Sequence, residues 1–502
     1  MQRIEIDGVP VFTAPGPGRI TAALVFGVGL RDETFATVEV THLVEHLVMG
    51  SLPKSHLKCN AVTDVDSTAF YATGRPEAVR GFLEGVCRAL SDLPTDRMDL
   101  EVGILQAEHC STADSTLGAL WAARFGLVGP GLVVADGPGP QYLAEDVVRA
   151  HARRWFVREN AALWCHGALP EGLRLPLPTG PRPDRVRPAA RPQTGPVWTK
   201  GHGAGVGLLL TSGGGGGGDV ALGVGVDVLK ERLRDTARHA RGLSYHVDSL
   251  GLDLAADSRE VAVVVDAREG QEGEVAGILW EQFGRLCAEG PTEEELAHAV
   301  AGFEEELDAE EDAVVESELA DAAYCSVSGL PFRPVQEVLE SWRSTGAEQV
   351  AAALRRAWAS AILYVPEEVA YEGPGAPVER RYMCARTSQL PAGPMFRPPL
   401  LARLFDRRSR LALVVSETGL AHRDADGDVH SIPWELVEGA VPLDDGKGVF
   451  VVGRNLCSAV VHEDLYGHRA VEAVRAHVPE RLWLTEPPRV TAVAAGPAVP
   501  VG

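Results

Sequence analysis

The ten residues THLVEHLVMG, 41 to 50, set His42, Glu45 and His46 into a run of leucine, valine and methionine. Leu43, Val44, Leu47 and Val48 recur at helical spacing, so the stretch predicts an amphipathic helix with its polar residues to one side. On a helix, residues i and i+4 share a face, which brings the His42 and His46 imidazoles to one point with Glu45 beside them. Two imidazole nitrogens suit zinc, which takes histidine at about 2.0–2.1 Å and keeps one position open for water in catalytic sites. A carboxylate that close to the open position is placed to act as a general base. The same three residues also occur by chance on solvated helix faces, and two histidines do not complete a zinc site.

A third ligand has to come from elsewhere in the chain. LEVGILQAE, 100 to 108, offers Glu101 and Glu108 seven positions apart, about two turns along one face of a predicted helix. Glu108 can ligate, and Glu101 can reach back to a ligand histidine. A glutamate pair alone is a weak signal, because most helical glutamates are solvated.

The surrounding chain has 502 residues, enough for two to four domains, with 45% hydrophobic and 23% charged residues, the composition of a globular protein. A net charge of −23 excludes nucleic acid and anionic membrane as expected partners and favours basic peptides. The N-terminus MQRIEIDGVPVFTAP lacks a basic and then apolar leader, and no run approaches the roughly 20 apolar residues of a membrane span, so the cytoplasm is the expected compartment. Eight cysteines stand singly without CxxC pairs, which points to reduced thiols, Cys59 and Cys110 among them, rather than a disulfide framework or thiolate site.

The Pro/Arg-rich stretch from 175 to 197 reads as a linker between two segments of similar order, each with strands, then long helices, then strands. That order predicts an α+β fold with an internal duplication: a first half over 1–178, a connector over 179–197 and a second half over 198–372. A Gly/Pro-rich stretch over 373–400 then precedes short strands separated by ADGD and DDGKG turns and closed by the helical HRAVEAVRAHVP. These predict a small, mostly β module over 401–490 and a tail over 491–502. The six glycines at 213–218 lack the GK[ST] of a phosphate loop and read as a connection between strand and helix.

HxxEH at 42–46 is the inverted zincin signature. With VGLRDE before it, NAVTDVDSTAFYAT after it, the later ExxxxxxE and LKERLRDTARHARGLSYHV in the second half, the chain resembles the insulinase/pitrilysin family of metallopeptidases. The resemblance implies a clamshell of two homologous α+β halves around a chamber, with one zinc held by His42, His46 and Glu108, Glu45 as catalytic base and Glu101 behind a ligand histidine. It places Asn60 and Ala61 beside a strand edge that receives a peptide substrate, and implies that Arg238 and Tyr245 reach the site from the second half to anchor the peptide and stabilise the oxyanion. The family also implies two alternatives, a non-catalytic peptide-binding or assembly subunit and the catalytic member of a heterodimer, beside a self-sufficient chain or homodimer. Only 62 positions separate His46 from Glu108, shorter than usual for the family, which puts the chamber wall rather than the ligands in doubt. The 401–490 segment, with SETGLAHRDADGDVHSIPWELVEGAVP, resembles bacterial pleckstrin-homology-like domains, implying a docking or assembly role.

Overall fold

Strands ITAALVF and TAFYATG of the first half are apolar on successive residues rather than alternate ones, the pattern of a sheet covered on both faces. The computed structural model describes residues 1–502 except 17, 110–114, 135–136, 214–218, 310, 376–377, 400–409 and 486–502. The first half runs β1 (Gln2–Ile6), β2 (Val9–Ala14), β3 (Ile20–Phe26), α1 (Val40–Ser51), β4 (Lys58–Thr63), β5 (Thr68–Gly74), α2 (Pro76–Ser91), α3 (Met98–His109), α4 (Thr116–Phe125), α5 (Glu145–Trp155) and β6 (Ala161–His166). Its six strands are ordered β1-β2-β6-β3-β5-β4, with β2 and β6 parallel and the other neighbours antiparallel.

The second half repeats this plan. It runs β7 (Val197–Gly201), β8 (Val206–Ser212), α6 (Val220–Leu233), β9 (Val247–Ala255), β10 (Ser258–Val265), α7 (Glu272–Glu289), α8 (Glu293–Ala309), α9 (Glu311–Ser328), α10 (Val335–Arg343), α11 (Ala347–Trp358), β11 (Ile362–Pro366) and β12 (Glu379–Arg380). The sheet order β12-β7-β11-β8-β10-β9 matches the first sheet strand for strand from β2 onward, including the single parallel pair of the core, β7 with β11. Shared order and shared strand directions are what a duplicated unit produces. The glycine run falls between β8 and α6, with positions 214–218 outside the described residues.

The halves are joined by an exchange of helices. The stretch 94–126 has helical spacing throughout and 291–324 reads in sequence as one long helix; each instead contains two elements that serve different halves. Helix α4 packs Leu120, Trp121 and Phe125 on Leu209, Ile362 and Tyr364 of the second sheet. Helix α9 packs Leu319, Ala322 and Val327 on Phe12, Val25 and Ala162 of the first. Glycines allow the close approach: a Cβ at Gly207 would lie 2.7 Å from Leu120, and one at Gly27 would lie 2.7 Å from the Val327 carbonyl. The other face of each sheet is covered by its own helices, α1, α2 and α5 in the first half and α6, α7 and α11 in the second.

Polar contacts tie the same interface. Arg124 of α4 lies 3.3 Å from Glu260 of β10, both buried, and also donates to Gln193 at 3.1 Å. Arg31 donates to the carbonyls of Asp253 and Leu254 at 2.7 and 3.2 Å. The arginines of the connector are anchors: Arg185 donates to Asp32 at 3.0 Å, Arg187 to Ser258 at 2.8 Å and Arg191 to the Met383 carbonyl at 2.7 Å.

The last module holds β13 (Arg386–Thr387), β14 (Met395–Phe396), β15 (Ala412–Val415), β16 (Gly419–Arg423), β17 (Val429–Pro433), β18 (Val437–Pro442), β19 (Gly448–Gly453), β20 (Ser458–His462), α12 (Glu463–Tyr466) and α13 (His468–His477). Its strands form two antiparallel sheets, β13-β17-β16-β15-β14 and β18-β19-β20, around a core that α13 closes with Ala470, Val471 and Val474. The 373–400 stretch thus adds β12 to the second sheet and β13 and β14 to this module. The module docks on the first half through Val452 against Phe35, Val38, Leu127 and Leu132, just ahead of α1.

Breaking a buried ion pair by removing one partner leaves the other charge uncompensated, which costs about 3–5 kcal/mol. Arg124→Ala is therefore expected to lower unfolding stability by that order in a denaturant titration. A paired Arg124→Met/Glu260→Leu replacement should recover most of the loss.

Candidate metal centre

Helix α1 buries Val40, Leu43, Val44, Leu47 and Val48 completely, and this apolar stripe fixes its rotation on the sheet. The rotation turns His42, Glu45 and His46 together toward the facing helix α3. The two imidazole rings lie 4.7 Å apart at 83° to each other. Glu108 of α3 brings its Oε2 to 3.8 Å from His42 Nε2 and 3.6 Å from His46 Nε2. One donor atom from each of His42, His46 and Glu108 lies within 4.8 Å of the others. A tetrahedral zinc with bonds of about 2.0–2.1 Å sets its donors roughly 3.3 Å apart, so the two distances to Glu108 are within about half an ångström of that spacing.

Both rings are oriented from behind. His42 Nδ1 is 2.9 Å from Glu39 Oε2, and His46 Nδ1 is 3.4 Å from Glu101 Oε2, which leaves each Nε2 facing Glu108. Carboxylates in this place fix the ring and raise its basicity toward a metal. Glu101 is itself 3% exposed and accepts bonds from Arg97 at 2.9 and 3.2 Å. Gly50, at the end of the motif, makes room for it: a Cβ there would sit 2.6 Å from Glu101 Oε1.

Glu45 is 7% exposed, with its Oε2 3.7 Å from His42 Nε2. Burial holds its carboxyl above the ordinary glutamate range, against the opposing pull of His42 and His46. For His42, burial pushes the imidazole down, but the Glu39 bond and the charges of Glu39, Glu45 and Glu108 outweigh it and leave the ring above its usual value.

Glu39 has no counterpart in the sequence motif. It stands at the N-cap of α1 with φ 75° and ψ 3°, a left-handed conformation uncommon outside glycine. Buried Glu33 holds it there, accepting from the Glu39 amide at 2.9 Å and the Thr41 amide at 2.8 Å, and burial raises the Glu33 carboxyl to about 8. The only signal in the sequence is the spacing of three from His42, and that spacing is informative only once the chain is known to turn at 39.

Asn60 and Ala61 lie on β4, the terminal strand of the first sheet, with Asn60 exposed and Ala61 turned into the core. Arg238 lies in a π-helical turn, Arg234–His239, that continues α6, and its guanidinium sits 4.9 Å from the Tyr245 ring centroid. Tyr245 is 74% exposed, with its amide held by Asp266 at 2.8 Å. The structure brings His42, Glu45, His46, Glu101 and Glu108 together. Among the described residues, no hydrogen bond or ion pair joins Arg238 or Tyr245 to them. Beside Glu108, an open depression of about 510 Å³ is lined by Asp99, Leu100, Gly103, Ile104 and Ala107. His109 has no described side chain, and Cys110 lies outside the described residues.

By sequence, no family model and no curated protein matches the chain. Solved structures do match its fold. The inactive domain of peptidase M16 from Pseudomonas fluorescens aligns with a TM-score of 0.61 at 16% identity, over 74% of this chain and 99% of that one. A protease from Helicobacter pylori aligns with a TM-score of 0.61 at 14% identity, over 73% and 99%. The first half of the periplasmic protease PqqL from Escherichia coli gives 0.54 at 14%, over 73% and 91%. The duplicated α+β halves therefore have the fold of M16 peptidase domains.

Removing the carboxylate behind a ligand histidine typically costs 10–100-fold in metal affinity. For a zinc ion held by His42, His46 and Glu108, Glu39→Gln is expected to lower affinity by that factor in a chelator-competition titration, with little change in the folded circular dichroism spectrum.

Proposed function

We propose that this chain is a zinc metallopeptidase that cuts peptides held in an extended form. The observation that carries the proposal is the convergence of His42 Nε2, His46 Nε2 and the Glu108 carboxylate, each imidazole backed by its own carboxylate, with Glu45 at the same point. These three residues would hold zinc, which when bound would supply a Lewis acid for a carbonyl oxygen and lower the pKa of water, toward about 7 in well-characterised hydrolases.

This chain's own groups do the rest. Glu45, buried and with a raised carboxyl, takes a proton from the attacking water and passes it to the departing amine. Glu39 and Glu101 keep the imidazoles aimed. The terminal strand β4 receives the peptide as an added strand, with the exposed Asn60 amide bonding its backbone and Ala61 fixing the strand to the core beneath. Leu100 and Ile104, both exposed beside Glu108, offer an apolar rest for a substrate side chain. Arg238 and Tyr245 meet the substrate from the second half, where they anchor it and stabilise the oxyanion. The net charge of −23 favours basic peptides.

The fold also occurs in an inactive M16 domain and in complex III2 of Candida albicans, so a non-catalytic role is the competing reading. Retention of the complete ligand set and of Glu45 favours the enzyme, acting alone, as a homodimer or with a related subunit. We place it in the cytoplasm, although PqqL is described as periplasmic. The last module serves as a pleckstrin-homology-like docking or assembly element.

Glu45→Gln should keep zinc bound while losing at least a hundredfold in cleavage of a quenched peptide library, the scale expected for a general base. His42→Ala should lose metal and cleavage together. Full activity in Glu45→Gln, or cleavage indifferent to chelator, would sink the assignment.

A further inference from the structure

The last module contains a second group of metal-compatible donors. Cys384, His430 and Cys457 each present one donor atom, all within 4.8 Å of one another. They come from three separate stretches of chain. Cys384 precedes β13, His430 lies on β17, where it faces Arg386 of β13 across the ladder, and Cys457 follows the turn between β19 and β20. The Cys384 Sγ is 3.2 Å from His430 Nδ1.

Several features hold this geometry in place. His430 Nε2 is 3.1 Å from Asp424 Oδ2, so the nitrogen facing the sulfur is the one left for a ligand bond, as behind His42 and His46. Cys457 is buried, and its turn is tied by Asn455, which accepts from the Cys457 amide at 3.3 Å and donates to the Ser431 carbonyl at 2.8 Å. Leu456, beside it, takes a left-handed φ of 65°, and the Cys457 Sγ lies 3.1 Å from the Ala385 carbonyl, next to Cys384. The charged groups around the cluster are Asp424 on one side and Arg191 and Arg386 on the other; the hydrogen bond from the Cys457 thiol, with Arg386 and His430, draws the Cys384 thiol below its usual range against the effect of burial, while the same bond pushes Cys457 up.

We propose that Cys384, His430 and Cys457 form a second metal site, distinct from the one on α1, that binds zinc and fastens the 379–387 segment to both sheets of the last module. Two thiolates and an imidazole are a donor set that zinc prefers over calcium or magnesium. The same segment grips the exchanged helix, since Arg381 donates to the Ala123 carbonyl of α4 at 2.7 Å. Metal at this site would therefore fix the last module relative to the two halves. The isolated spacing of the cysteines hides the site, because its ligands lie 46 and 27 positions apart and share no motif.

The test is metal analysis and cobalt exchange on the full chain. Wild-type protein should carry two equivalents of zinc, of which His42→Ala removes one and Cys384→Ser or Cys457→Ser the other. Cobalt-loaded His42→Ala protein should retain a thiolate-to-metal charge-transfer absorption that the His/His/Glu site, having no sulfur, does not give. This spectrum tests the proposal even if the cysteine variants fail to fold, and it does not depend on peptidase activity. A single equivalent unaffected by Cys457→Ser, or no sulfur charge-transfer absorption in the His42→Ala protein, would overturn it. So would a thiol titration of denatured, unreduced protein that finds two fewer thiols than the eight cysteines present, because the pair would then be a disulfide.

Discussion

Each half of this protein completes the other's core. A sheet buried on both faces needs a second layer, and here that layer is supplied across the chain, α4 to the second sheet and α9 to the first. The proposed ligands of the α1 site, His42, His46 and Glu108, all come from the first half, yet α1 sits on a sheet whose far face is sealed by α9. The position of the site helix thus depends on residues about 275 positions later. The dependence also has a time scale. The first sheet is complete at β6, but α9 is finished only about 160 residues afterward, roughly 10–30 s at ordinary rates of synthesis. During that interval the apolar face of β3 and β6 is open to water or to a chaperone.

The charge at the candidate centre makes the same point on a smaller scale. Glu39, Glu45, Glu101 and Glu108 surround two imidazoles, with Arg97 as the guanidinium bonded to Glu101. Four carboxylates at such spacing repel, and burial sharpens the repulsion at Glu45 and Glu101. A dication in their midst offsets it, which is why a donor set of this kind is chemically consistent with metal. The packing of α1 and α3 supplies the force that holds the carboxylates together.

Much of this was legible in the chain. The apolar spacing of Val40 to Val48 determines which face of α1 is buried, and with it the side on which His42, Glu45 and His46 emerge. Repeated strand and helix order made the duplication visible, and the ADGD and DDGKG turns separated the strands of the last module. The exchange of α4 and α9 was not legible, because periodicity shows that a helix face is apolar without showing which sheet it meets. The Cys384, His430 and Cys457 cluster escaped for a similar reason: three separate stretches of chain bring together residues that no local spacing connects. The Arg238 and Tyr245 pair was found through resemblance, and its local geometry, a guanidinium over an exposed ring, lies outside what spacing alone specifies.

Position 39 joins two demands that pull toward different residues. Its left-handed backbone costs a non-glycine residue roughly 1–2 kcal/mol, which glycine would avoid. Its carboxylate, aimed at His42 only because the backbone turns that way, is something glycine lacks. Engineering for thermal tolerance would select glycine here and discard the group that orients His42. The strained residue is thus a local trade of stability for the orientation of the His42 ring, located in the backbone rather than in the imidazoles themselves.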